Sequence, residues 1–472
     1  MAEYEDFKSI PVGKLGIIPL PGCEMLASKI DYYLVKWRRE WKNEHKESIQ
    51  FDGYQRDSYI INASFPRFGT GEGKCVIKET IRGFDLFILC DPFNYGVVYK
   101  MYGEDHPMSP DDHYANLKRA ISAVAGKARK ITVIMPMLYE GRQHRRLSRE
   151  SLDCADMLRE LCLNYGADNF ITFDAHDPRV QNAVPQSGFE NVQPVYQMIK
   201  AMCKNITDLN IDRDHMMVIS PDEGGMGRCI YFSSVLGVDL GMFYKRRDYS
   251  TIIDGRNPIV AHEFLGDNVE GKDVIIIDDM ISSGDSMIEV ATRLKELKAN
   301  RIFICASFGL FCNGLKTFDK AYADGLISKV FTTNLIYSTP ELLAREWYVS
   351  VDMSKYCAYI IDTLNHDESV SKLLDPKDRI NTYLSNTALK RPRNNCIQGC
   401  IIVSDGVLMQ PFGDLICLIC RDSYAPCAAA GLRTAARSCA ARATTASTSQ
   451  NSATSICCSH KARVLNATAT TA

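Results

Sequence analysis

The chain contains the stretch Asp273-Val-Ile-Ile-Ile-Asp278-Asp279-Met-Ile-Ser282-Ser283-Gly284-Asp285-Ser286, and this stretch decides the fold. Residues 274–277 form a short apolar run, which is typical of a central strand of a parallel sheet covered on both faces. From Ser286 onward the apolar residues recur at helical spacing, and Ser286 with Glu289 fits a capping box. The small residues between strand and helix therefore lie where free backbone N–H groups and the helix dipole attract a phosphate.

Two adjacent acids, Asp278 and Asp279, lie at the end of this predicted strand. Carboxylates are strong hydrogen-bond acceptors, so the pair suits the hydroxyls of a sugar attached to that phosphate. The competing interpretation is an acidic strand end followed by an ordinary polar turn. The combination of strand, acidic pair, hydroxyl-rich turn and helix favours the sugar-phosphate site.

Length and composition limit the class of protein. The chain has 472 residues, which favours two compact domains with additional segments. The formal net charge is −2, so we expect no nucleic-acid partner. No apolar run approaches the roughly 18 residues that a membrane helix requires, and the N-terminus is acidic where a signal peptide would be basic. We therefore expect a cytoplasmic protein with no membrane partner.

Strand-like and helix-like segments alternate along the chain, which predicts an α/β fold with mainly parallel sheets flanked by helices. The predicted strands lie at residues 86–89, 131–135 and 170–173 in one group, and at 216–219, 240–243, 274–277 and 301–304 in another. Two similar units are the simplest account. We predict domains at residues 1–193 and 194–390, followed by a low-complexity tail at 391–472.

The tail differs from the rest of the chain in composition. No Asp or Glu follows Asp422, and Ala, Thr, Ser and Cys dominate. Because the tail contains few large apolar residues, their burial could not offset the conformational entropy that the chain loses on folding. We therefore expect the tail to be disordered. A shifted reading frame near the end of the coding sequence is one explanation of this change.

Two further polar clusters follow predicted strands of the first half. Arg142 and Gln143 belong to a cationic loop at 139–146, and arginine suits polyphosphate oxygens, although an exposed basic loop is the commoner case. His176 follows the strand at 170–173, in the segment 173–177. Both clusters are expected at the carboxyl ends of strands, where α/β sheets bind ligands.

Two polar clusters also follow strands of the second half. Asp222 belongs to the turn 220–225, whose glycines let the backbone approach a ligand closely. Lys245 and Arg247 open a polar segment that runs to about Gly271, and a loop of that length is usually functional or mobile. A basic surface cluster is the competing interpretation.

The segment 273–286 resembles the phosphoribosyl pyrophosphate (PRPP) motif of the type I phosphoribosyltransferase fold. With the Arg142-Gln143 loop and the His176 segment, the chain is similar to the ribose-phosphate pyrophosphokinases from about Gly16 to Leu384. The resemblance implies two tandem phosphoribosyltransferase-like domains in a homo-oligomer, a dimer or a hexamer. It also implies an enzyme that transfers pyrophosphate from ATP to C1 of ribose 5-phosphate with Mg²⁺, which makes PRPP and AMP for nucleotide biosynthesis.

The same resemblance assigns roles to individual residues. Lys245 and Arg247 would be catalytic, and His176 and Asp222 would ligate Mg²⁺. The residues that would bind ATP are Arg142, Gln143, Phe68, Glu72 and His176. Those that would bind ribose 5-phosphate are Asp278, Asp279, Ser282, Ser283, Gly284, Asp285 and Ser286.

The chain departs from the family pattern at several positions. Asp285 stands in the phosphate turn where the family has Gly, and a carboxylate facing a phosphate repels it. Thr70 and His144 each replace a usual Asp, and residues 38–65 resemble an insertion. Two alternatives therefore stay open: a non-catalytic regulatory relative, and a phosphoribosyltransferase that consumes PRPP.

Overall fold

A computed structural model of the chain describes residues 10–44, 54–146, 148–151, 153–247 and 259–390. The side chains at 41–44, 245–247, 259–262 and 387–390 lie outside this description. The description also leaves out the whole predicted tail at 391–472 and residues 45–53 of the predicted insertion.

The first half of the chain forms a five-stranded parallel sheet with the order β1-β4-β7-β8-β9. Its strands are β1 (Lys14–Pro19), β4 (Phe84–Leu89), β7 (Lys130–Ile134), β8 (Asn169–Phe173) and β9 (Gly188–Val192). The helices are α1 (Glu24–Glu44), α2 (Pro110–Val124) and α3 (Cys154–Arg159), and α3 continues as a π-helical turn over Glu160–Asn164. A 3₁₀ helix follows at Pro178–Ala183, and two hairpins are formed by β2 (Ala63–Ser64) with β3 (Val76–Ile77) and β5 (Val98–Met101) with β6 (Glu104–Pro107).

The second half forms a seven-stranded sheet with the order β12-β11-β10-β13-β14-β15-β16, in which only β11 and β12 pair antiparallel. Its strands are β10 (Met216–Ser220), β11 (Asp239–Arg247), β12 (Ile259–Leu265), β13 (Asp273–Ile281), β14 (Ile302–Gly309), β15 (Lys329–Thr333) and β16 (Tyr348–Val351). The helices are α4 (Val195–Asn205), α5 (Met226–Leu236), α6 (Asp285–Glu296), α7 (Lys316–Ala323), α8 (Pro340–Leu343), α9 (Ser354–Asn365), α10 (Ser371–Leu374) and α11 (Lys377–Lys390).

The apolar run of β13 shows why this strand is central. Val274 and Ile276 pack into the core on one face of the sheet, whereas Ile275 and Ile277 pack into the core on the other face. All four side chains are buried, and burial of each stabilises the fold by about 1.5–3 kcal/mol. The predicted α/β fold with two phosphoribosyltransferase-type sheets is confirmed.

Two local predictions are wrong. The helix after the phosphate turn begins at Asp285 with Gly284 as its N-cap, not with a capping box at Ser286, because only the left-handed backbone of Gly284 closes the turn. The polar segment after Lys245 is not one long loop, since β12 returns antiparallel to β11. Residues 248–258 lie outside the described residues.

Helix α9, from the second half of the chain, packs on the sheet of the first half. Arg38 of α1 donates to Asp362 and Asn365 of α9 at 2.6 and 2.8 Å. Asn365 donates in turn to the buried Asp85 of β4 at 2.9 Å. These buried polar contacts tie the two halves together. The domain boundaries at 193/194 and 390/391 stay a prediction.

Within the described ranges, no helix is both long and apolar enough to cross a bilayer.

Candidate active site

The two sheets meet at a cavity of about 220 Å³. Arg142, Gln143 and His176 line it from the first half, and Asp279, Met280 and Phe308 line it from the second. These residues lie at or just beyond the carboxyl ends of β7, β8, β13 and β14. The structure therefore brings together the cationic loop, the histidine and one of the two strand-end acids.

His176 and Asp279 form a direct ion pair across this cavity. Nδ1 of His176 lies 2.7 Å from Oδ2 of Asp279, which is buried. The hydrogen bond to Asp279 raises the pKa of His176, although partial burial opposes it. Burial opposes ionisation of Asp279, but the hydrogen bond from His176 and the charge of Arg228 outweigh it and lower its pKa. A protonated His176 facing an ionised Asp279 is therefore the favoured state.

Asp278 behaves differently from its neighbour. Its Oδ1 accepts a hydrogen bond from the backbone N–H of Asp279 at 2.9 Å, and it lies 3.6 Å from a terminal nitrogen of Arg228. Burial, followed by the charge of Asp279, raises the pKa of Asp278. Two adjacent carboxylates with opposite pKa shifts can serve as a donor and an acceptor toward vicinal hydroxyls.

A buried cluster around Asp174 supports the acidic pair, and the sequence analysis missed it. Nε of Arg228, on α5, donates to both carboxylate oxygens of Asp174 at 2.9 and 3.0 Å. Ser307 of β14 also donates to Asp174. Asp174 has φ +42°, an uncommon conformation for a residue with a side chain, so the surrounding contacts hold it there. The available signal was an Arg directly after the glycine turn at 220–225.

The turn to which the sequence analysis assigns a phosphate lies between β13 and α6, and that assignment stays a prediction. Gly284 has φ +89°, and a Cβ at this position would lie 2.2 Å from the ring of Phe318. The carbonyl of Ser282 accepts a hydrogen bond from Cys312 N–H at 2.8 Å, and the Asp285 N–H lies 3.4 Å from Ser283 Oγ. A terminal nitrogen of Arg142 lies 3.5 Å from Ser282 Oγ. Asp285 and Ser286 are exposed at the first turn of α6.

Asp222 begins a tight turn between β10 and α5. Its Oδ1 accepts from the N–H of Gly225 at 3.2 Å, and its carbonyl accepts from Ser220 Oγ at 2.7 Å. A Cβ at Gly225 would lie 3.0 Å from Ser220 Oγ, so this position favours glycine. His144 lies near the site too, with its ring 5.5 Å from that of His176.

Comparison with known proteins identifies the family. Residues 16–163 match the model of the N-terminal domain of ribose phosphate pyrophosphokinase, and residues 186–338 match the phosphoribosyl transferase domain. The chain belongs to the ribose-phosphate pyrophosphokinase family.

Relatives support this membership along most of their length. The chain is 27% identical over 322 residues to a ribose-phosphate pyrophosphokinase of Vibrio cholerae, covering 66% of this chain and 91% of the relative. It is 29% identical over 312 residues to a ribose-phosphate pyrophosphokinase of Shewanella oneidensis, and the match covers 65% of this chain and 89% of the relative. The crystal structure of phosphoribosylpyrophosphate synthetase from Mycobacterium smegmatis shares the fold, with a TM-score of 0.57, 20% identity and coverage of 75% of this chain and 99% of that one.

The remaining residues that the family resemblance singles out lie elsewhere. Phe68 and Glu72 belong to the loop between β2 and β3, and neither lines the cavity. The ring of Phe68 is 54% exposed, and Glu72 accepts from Thr70 Oγ1 at 2.9 Å. Lys245 and Arg247 belong to β11, and the structure describes their backbone but not their side chains. The roles of these four residues stay predictions.

Proposed function

We propose that this protein is a ribose-phosphate diphosphokinase, which transfers the β,γ-pyrophosphoryl group of ATP to the anomeric hydroxyl of ribose 5-phosphate. The products are PRPP and AMP. The observation that carries the proposal is the contact between the two halves of the site. Arg142 reaches Ser282 at 3.5 Å, and His176 pairs with Asp279 at 2.7 Å, so the loop proposed for polyphosphate contacts the turn proposed for the sugar phosphate and shares a cavity with Asp279.

Ribose 5-phosphate binds on the second half of the site in this proposal. The free N–H groups at the start of α6 and the hydroxyls of Ser282, Ser283 and Ser286 receive its phosphate. Asp278 and Asp279 hold the ribose hydroxyls, and the raised pKa of Asp278 lets one carboxyl donate while the other accepts. Arg228 keeps this pair in place through its charge.

ATP binds on the first half. Arg142 and Gln143 line the cavity, and their side chains suit polyphosphate oxygens, although the amide of Gln143 donates to Glu150 at 2.9 Å in this structure. His176 lies beside them, and its ring adds positive charge as long as no metal is bound to it. Lys245 and Arg247 stabilise the charge on the group in transfer, as arginine and lysine do in phosphoryl transfer generally. Phe68 and Glu72 contact adenine of an ATP held by a neighbouring subunit, which requires a homo-oligomer.

The described residues could bind Mg²⁺ together with the phosphates of a nucleotide, but not by themselves. Among the described residues, no group of three His, Cys, Asp or Glu side chains could hold a metal ion. Mg²⁺ in nucleotide enzymes keeps several waters and takes one or two protein ligands together with phosphate oxygens. His176 and Asp222 would supply those ligands, and His176 would first lose its Nε2 proton, so that the neutral ring offers Nε2 to the metal while Nδ1–H stays on Asp279. Bound Mg²⁺ would neutralise the phosphate charge.

Two alternatives make different predictions. A phosphoribosyltransferase that consumes PRPP would need the sugar site but has no use for Arg142 and Gln143 at the same cavity. A non-catalytic relative would bind ligands without turnover, and the altered turn with Asp285, together with Thr70 and His144, favours it.

The deciding experiment follows AMP and PRPP by chromatography after the protein is mixed with ATP, ribose 5-phosphate and Mg²⁺. Equal amounts of both products, absent when ribose 5-phosphate is omitted, support the proposal. Asp278→Ala and Arg142→Ala should each abolish product, whereas Arg293→Ala, at an exposed helix position, serves as the matched control. Ligand binding without AMP would favour the regulatory alternative.

A further inference from the structure

A second cavity, of about 310 Å³, lies at the carboxyl ends of β14 and β15 and shares no lining residue with the candidate active site. Three segments contribute to it: Tyr95 from the first half, residues 309–319 from the end of β14 into α7, and residues 337–345 around α8. Its volume is that of a small organic ligand rather than of a water molecule.

The apolar part of this cavity is aromatic. Tyr95 and Tyr337 meet edge to face with ring centroids 5.3 Å apart, and the ring of Tyr95 is 54% exposed. Phe311 and Leu342 are buried beneath them. The N–H of Tyr337 donates to the buried Asp91 at 2.7 Å, which fixes this wall against the first half of the chain. Such a surface suits a flat ring.

The polar part carries one unpaired charge of each sign. Lys316 and Glu341 are exposed and line the cavity, and neither has an ion-pair or hydrogen-bond partner in the described ranges of the chain. The other charged residues of the lining are already paired, because Arg345 lies 2.9 Å from Asp319. Asp319 also accepts from the indole of Trp347 at 2.9 Å. A ligand therefore meets one free cation and one free anion.

We propose that this cavity binds a free aromatic α-amino acid. The ring packs against Tyr95 and Tyr337, the carboxylate faces Lys316, and the ammonium group faces Glu341. A zwitterion satisfies both free charges, whereas a phosphate ester would place its charge beside Glu341 and Asp319. A ligand that has only a ring and one charge would leave the other side chain unpaired.

The cavity is also connected to the phosphate turn. Cys312, in the loop that lines the cavity, donates its N–H to the carbonyl of Ser282, and Leu310 donates to Ile281 at 2.9 Å. A ligand that orders residues 309–316 therefore acts on the turn assigned to ribose 5-phosphate. This regulatory consequence rests on the proposed function, but the binding itself does not.

Binding is tested by titration calorimetry on the full chain without any substrate. We expect one-to-one binding of at least one of phenylalanine, tyrosine, tryptophan and histidine. Two analogues of phenylalanine, 3-phenylpropionate without the ammonium group and 2-phenylethylamine without the carboxylate, should each bind about tenfold more weakly. Equal binding of the analogues, binding of adenosine alone, or no binding of any aromatic amino acid would overturn the proposal.

Paired variants locate the site. Glu341→Gln and Lys316→Met should each weaken binding of the amino acid about tenfold. Their controls are Glu346→Gln and Lys320→Met, which alter exposed residues of the same charge that do not line the cavity. Unchanged affinity in both site variants would place the ligand elsewhere and refute the assignment. Since no substrate is present, failure here is distinguishable from failure to make PRPP.

Discussion

Arg228 and Asp174 form a buried ion pair that joins the two halves of the chain, with Nε of Arg228 2.9 and 3.0 Å from the two carboxylate oxygens. Asp174 follows β8 in the first sheet, and Arg228 lies on α5 beside the second. Burial raises the pKa of Asp174, and the charge of Arg228 opposes the shift. The positive charge of Arg228 therefore offsets the cost of burying the carboxylate of Asp174.

Arg228→Met should destabilise the fold by about 3–5 kcal/mol, because Asp174 would be left buried without its partner. Denaturant unfolding monitored by circular dichroism measures this loss. Adding Asp174→Asn should restore part of the stability, since the uncompensated charge is then removed. If Arg228→Met unfolds at the same denaturant concentration as the unmodified protein, the pair does not stabilise the fold.

Gly284→Ala should destabilise the protein by more than about 2 kcal/mol, because the new Cβ meets the ring of Phe318 and the backbone has φ +89°. Gly325→Ala is the matched control, since Gly325 has φ +68° but open space around its Cβ position. Phe318→Leu should partly rescue Gly284→Ala. Equal losses for both glycine variants would mean that the backbone conformation, and not the contact with Phe318, decides the cost.

The stability of the protein should fall as the pH rises above about 6.5, because His176 contributes through a raised pKa. A group whose pKa is higher in the folded protein than in the unfolded chain stabilises the folded protein. This stabilisation is complete at pH values below the pKa of the unfolded chain, and it is lost as the pH rises through the pKa of the folded protein. The ring is 40% exposed, so screening limits the effect to less than about 1 kcal/mol. Comparison of unfolding free energies between pH 6 and 8 should show a smaller slope in His176→Gln.

Lys245→Ala and Arg247→Ala should each lower turnover by a factor of roughly 10² with little change in stability, because an electrostatic contribution to the transition state is removed. Steady-state release of AMP measures turnover. Arg246→Ala is the control, as it removes the same charge at the adjacent position, to which no role is assigned. Unchanged turnover in both site variants would refute the catalytic role of this segment.

Asp285→Gly should tighten binding of ribose 5-phosphate, because it removes a negative charge from the first turn of α6 beside the phosphate turn. The substitution should also cost about 0.3–1 kcal/mol of stability, since the acid interacts favourably with the helix dipole. Calorimetric titration measures the affinity, and Asp285→Asn separates the loss of charge from the gain in backbone freedom. Weaker binding in both variants would show that Asp285 assists the site.

The sequence by itself determined the fold class and the presence of the central strands, but β11, β13 and β14 each extend four or five residues beyond their predicted ends. A short unbroken apolar run such as 274–277 is typical of a strand buried on both faces, and the small residues after it favour a turn. These are local properties of the chain, so Asp278, Asp279 and the phosphate turn were predictable. The helix start at Asp285 was not, because it depends on the left-handed backbone of Gly284, which no sequence pattern shows.

Only the tertiary structure decided which side chains act together. His176 and Asp279 are 103 positions apart, and Arg228 and Asp174 are 54 apart, so no periodicity relates them. Their pairing depends on the order of strands in each sheet and on α9, which ties the second half of the chain to the first through Arg38 and Asp362. The pKa shifts of these side chains follow from that packing. Each side chain becomes buried and gains a charged neighbour only when the two sheets come together.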